Sequence, residues 1–99
     1  MLVYTSAYKW EEGVCIGEVL DFPGTVAAGA TLDEARICLA AALLDMAETN
    51  LMKGESMPLP NSSLSDAGCE LEEPIYLALR AGQNLMQEVA VPIRCSGAT

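Results

Sequence analysis

The sequence predicts an α+β fold: an antiparallel three-stranded meander, a long helix across one face, and a further strand toward the C-terminus. Three observations carry this reading. Before position 30 lie three short runs rich in aromatic and β-branched residues, each closed by a glycine-bearing break. A Thr-x-x-Glu pair at Thr31 and Glu34 then opens a stretch in helical period. The breaks between the first three runs are too short for a crossover helix, so neighbouring strands run antiparallel. A chain of 99 residues makes one domain, here 1–99 with a core at 1–60.

The first strand is expected over 2–10. Leu2, Tyr4, Tyr8 and Trp10 share one face at period two, interrupted by Ser6. Glu11-Glu12-Gly13 is a polar break suited to a hairpin. The second strand covers 14–20, where Gly17 marks a bulge or a close backbone approach. Phe22-Pro23-Gly24 reads as a type II turn, because proline presets φ at the first corner and glycine accepts positive φ at the second. A short third strand follows over 25–29, with Gly29 at its end.

The helix is expected over 32–52. The Thr31 hydroxyl caps the Glu34 amide, and the Glu34 carboxylate reaches back to the Thr31 amide. Leu32, Ala35, Leu39, Leu43, Met46 and Ala47 form one apolar face. Ile37, Cys38, Ala41 and Leu44 widen it, which calls for a second covering surface from the C-terminal segment or another subunit. Asp33 and Glu34 in the first turn and Lys53 in the last suit the macrodipole, and Gly54 is the C-cap. Pro58 and Pro60 keep 55–60 extended. Residues 61–73 read as a polar loop. In the C-terminal segment 74–95, Ile75 to Leu79 fits a strand or a short helix equally, and the alternation of Val89, Val91 and Ile93 gives a strand over 88–93.

Composition limits function. Fourteen acidic residues face five basic ones, a net charge of −9. Such a surface repels phosphate backbones, which argues against direct DNA binding, and attracts basic proteins. The sequence has no histidine, so a Ser-His-Asp or Cys-His centre within one chain is excluded. No P-loop or dinucleotide fingerprint occurs, and no cofactor or metal is expected. The four cysteines match no zinc spacing and are expected as free thiols. No apolar run approaches the ~20 residues of a membrane span. No signal peptide is recognised, and a cytoplasmic location is expected.

Glu11-Glu12 and Glu72-Glu73 are adjacent carboxylates that point opposite ways on a strand and so form no catalytic dyad. Glu18 and Asp21 flank the turn but make a weak cation site. The acids near the sheet edges read better as a docking field. Candidate partner-binding residues are Tyr8, Trp10, Glu11, Glu12, Glu18 and Asp21, although the aromatic residues fit the sheet's core face equally.

From Asp21 to Pro60 the chain resembles the HicB-like antitoxin family. The matching residues are Asp21, Phe22 at an apolar position, Pro23, Gly24, Gly29, Thr31, Glu34 and Ala35, then Gly54, Met57-Pro58 and Leu59-Pro60. The resemblance covers about 2–60 and implies a reduced ribonuclease-H-like unit. It also implies an antitoxin of a type II toxin–antitoxin pair, a non-enzymatic module that covers a small basic, mRNA-cleaving, HicA-like ribonuclease, and a homodimer or larger. Many members of that family add a C-terminal operator-binding domain, and residues 61–99 are expected to be too short and too acidic to form a convincing one. A stand-alone structural or regulatory domain without a toxin is the second reading. A metal-dependent ribonuclease-H-like nuclease is the third, disfavoured by the scarcity of strand carboxylates.

Overall fold

A computed structural model describes residues 2–78. The elements are β1 (Leu2–Glu11), β2 (Val14–Val19), β3 (Val26–Gly29), α1 (Leu32–Lys53) and β4 (Leu71–Leu77). They form one four-stranded sheet in the order β3-β2-β1-β4, with every neighbouring pair antiparallel. The meander and helix lie within a residue or two of their expected positions.

The C-terminal half departs from expectation. The loop foreseen over 61–73 gives up its last three residues to β4, and the ambiguous run from Ile75 is strand through Leu77. Pro74 sits inside this edge strand opposite Thr5. The Thr5 amide donates to Asp21 Oδ1, and the Thr5 carbonyl accepts from the Leu20 amide. Thr5 therefore spends both backbone groups on the β2 side. Pro74 then lies at a non-hydrogen-bonded position, and its nitrogen faces the outer edge, where a strand tolerates proline. The strand foreseen over 88–93 lies outside the described residues.

One face of the sheet carries the core. Tyr4 and Tyr8 on β1, Cys15 and Val19 on β2, Ala27 on β3, and Ile75 and Leu77 on β4 alternate toward α1. The helix meets them with Ala35, Cys38, Leu39, Leu43 and Ala47. Two glycines set how closely it approaches. A Cβ on Gly17 would lie 2.7 Å from the Tyr8 ring and 3.2 Å from Leu39 Cδ2. One on Gly29 would lie 2.6 Å from the Ala35 amide nitrogen. Gly17 thus marks a close backbone approach, the second of the two readings its sequence allows.

The connections follow their local chemistry. Glu12 and Gly13 both have positive φ, 53° and 81°, as a two-residue type I′ hairpin requires. At the Pro23 turn the Thr25 amide donates to the Phe22 carbonyl and Gly24 has φ 90°, the type II signature. Thr31 Oγ1 accepts the Glu34 amide at 3.1 Å. The return bond goes to the amide of Ala30 rather than Thr31, at 3.0 Å. Gly54, with φ 72°, closes the helix. Cys15 and Cys69 carry free thiols. Cys38 is disulfide-bonded, which corrects the free-thiol expectation there.

The described residues include no helix long and apolar enough to cross a membrane.

Candidate docking surface

The sequence candidates divide between interior and surface. Tyr8 is only 2% exposed and lies between Gly17 and the helix. Burial raises the pKa of its phenol, partly offset by a hydrogen bond with Ser6. Asp21 is 4% exposed, and its two oxygens are taken by backbone amides: Oδ1 by Thr5 at 2.9 Å and Oδ2 by Asn61 at 2.8 Å. It clamps the start of the sheet to the segment that follows the helix. The same corner holds Phe22, edge-on to Tyr4 at 5.5 Å, and the Tyr4 hydroxyl donates to the Pro58 carbonyl at 2.7 Å. The resemblance motif around Asp21, Phe22 and Pro58 therefore occupies one structural joint.

Trp10, Glu11, Glu12 and Glu18 are exposed. The first three sit at the β1–β2 hairpin tip, beyond the Tyr8–Leu71 pair where β4 begins. Trp10 keeps 44% of its surface open, and its amide donates to Glu70 Oε2. Lys9 partly neutralises the tip through Glu11 at 3.4 Å. Glu18 lies apart from the tip, on the sheet face turned away from the helix, in register with Ala7 and Val26.

That open face holds residues the sequence reading did not single out. Val3 and Tyr76 lie directly opposite on β1 and β4, 46% and 60% exposed. Beside them a groove of about 390 Å³ is lined by Val3, Tyr4, Thr5, Ser62, Glu72, Glu73 and Pro74. The alternation of Tyr76 with Ile75 and Leu77 was the available signal for its outward direction, once β4 is placed as a strand.

The loop before β4 forms the groove's rim. Asn61 Oδ1 accepts from the Ser63 amide, and Asp66 Oδ1 accepts from the Gly68 amide. Glu72 Oε2 accepts from the Asp66 amide and the Ser65 hydroxyl, both at 2.8 Å, and from Cys69 Sγ at 3.6 Å. The Asp66 amide first, then Ser65, hold the Glu72 carboxyl below its ordinary pKa, so it stays anionic. Its neighbour Glu73 points to the other face, where Arg36 grips it with bonds of 2.8 and 2.9 Å. Two adjacent glutamates thus serve opposite sides of one strand.

Among the described residues, no three acidic or thiol groups converge in a metal-holding cluster. The surface offers apolar contact and negative charge.

No protein-family model matches the sequence, and no curated protein matches it either. A solved structure, the N-terminal domain of the antitoxin HicB from Burkholderia pseudomallei, is similar. It superposes with a TM-score of 0.64 at 22% identity, over 79% of this chain and 100% of that one. The four-stranded antiparallel sheet with one long helix laid across it is therefore the fold of a HicB antitoxin N-terminal domain.

Proposed function

We propose that this chain is an antitoxin-like, non-enzymatic protein-binding module that covers a small basic ribonuclease in the cytoplasm, as one half of a type II toxin–antitoxin pair. The observation that carries this reading is a net charge of −9 on the fold of a HicB antitoxin N-terminal domain. A strongly acidic slab draws in a basic partner and repels the RNA which that partner would cleave. The internal roles of Tyr8 and Asp21 leave Trp10, Glu11, Glu12 and Glu18 as the accessible sequence candidates. Assembly into homodimers or larger belongs to the same proposal.

The test is co-expression with the small basic protein of the neighbouring reading frame. The expected result is a stable complex on gel filtration, loss of the partner's RNA cleavage, and weakening of the complex as salt rises. A partner that stays uninhibited at stoichiometric concentrations overturns the proposal.

A further inference from the structure

We infer that the groove between β1 and β4 on the open sheet face receives a lysine or arginine side chain of the basic partner. The inference rests on the function proposed above and adds where the partner is held.

The groove's chemistry matches that occupant. Val3 and Pro74 give it apolar walls, and Tyr76 stands beside Val3 with its ring open to solvent. Glu72, kept anionic by the loop, closes one side. A long cationic side chain buries its methylenes on such walls while its charged head meets the carboxylate. An exposed tyrosine adds a face for a guanidinium or ammonium.

Charge complementarity selects a basic protein over a second copy of this acidic chain. None of the described bases lines the groove: Lys9 pairs with Glu11, Arg36 with Glu73 and Asp33, and Lys53 ends the helix. The hairpin tip is the weaker anchor because Lys9 offsets its charge.

The experiment measures affinity for the basic protein of the neighbouring reading frame by calorimetry, using the full chain. Val3→Lys and Tyr76→Ala are each expected to weaken binding about tenfold or more, as truncating an interface anchor does. Glu48→Lys, at an exposed position of the helix away from both the groove and the hairpin tip, is expected to change it less than about threefold. Thermal unfolding of each variant is recorded alongside. If the wild-type chain does not bind, the proposed function fails and this inference falls with it. If the wild type binds and both Val3→Lys and Tyr76→Ala bind as tightly as it does, the inference alone is overturned, and loss of binding in Trp10→Ala then assigns the contact to the hairpin tip. If the groove variants lower the melting temperature but leave affinity unchanged, the chain's own residues fill the groove, and the inference is again overturned.

Discussion

Asp21 Oδ2 accepts the backbone amide of Asn61 at 2.8 Å, a bond that spans forty positions of sequence. Its other oxygen takes the Thr5 amide, so one buried carboxylate satisfies two backbone donors that lack partners in the sheet ladder. Asp21→Asn turns an amide nitrogen toward one of those donors and removes the charge that strengthens both bonds. The expected loss is about 2–3 kcal/mol, read from urea denaturation. The Asn61 amide should also lose hydrogen-exchange protection ahead of the strands.

Gly29→Ala should be the costlier of two glycine substitutions. Its Cβ meets the backbone of the first helical turn, whereas that of Gly17 meets the Tyr8 ring and Leu39. Backbone in a capped helix yields less readily than a side chain. The expected costs are about 3 kcal/mol at Gly29 and about 2 kcal/mol at Gly17, by denaturant titration.

Two substitutions should stabilise the protein. Glu12 holds a positive φ that asparagine accepts more readily, so Glu12→Asn is expected to add about 0.5–1 kcal/mol. Thr25 Oγ1 is buried and has no hydrogen-bond partner among the described residues. Thr25→Val keeps the branched shape and removes the orphaned hydroxyl, for a gain of about 1 kcal/mol. Thermal melting checks both.

The loop around Glu72 should loosen in acid. Its carboxyl is held below the ordinary value of 4.5, so its bonds favour the folded loop above that pH. They are lost as pH falls through the depressed folded pKa. NMR should show the Asp66 amide moving out of its hydrogen-bonded position in that range. Glu72→Gln should abolish that acid transition.

The N-terminal half was legible because its signals are local. Pro23 and Gly24 specify a turn by φ alone, and Thr31 and Glu34 specify a helix start within four residues. Strand β4 was legible only in part, as an even choice between strand and short helix from Ile75 with its first residues given to a loop, because its evidence is distant. Leu71, Glu73, Ile75 and Leu77 do alternate inward, but an inward glutamate beside a proline reads as a loop. Arg36, on the helix, makes Glu73 tolerable there, and Thr5, on β1, makes Pro74 tolerable. The same holds for the site residues. Asp21 looked like an available surface carboxylate because its two amide partners lie far away in sequence.

Pro74 constrains assembly. With a ring in place of a donor midway along β4, an incoming chain cannot continue the hydrogen-bond ladder across that boundary. The opposite boundary, β3, is only four residues long. Among the described residues, runaway strand-by-strand stacking is thus discouraged at both margins of the sheet, which favours discrete particles over fibres.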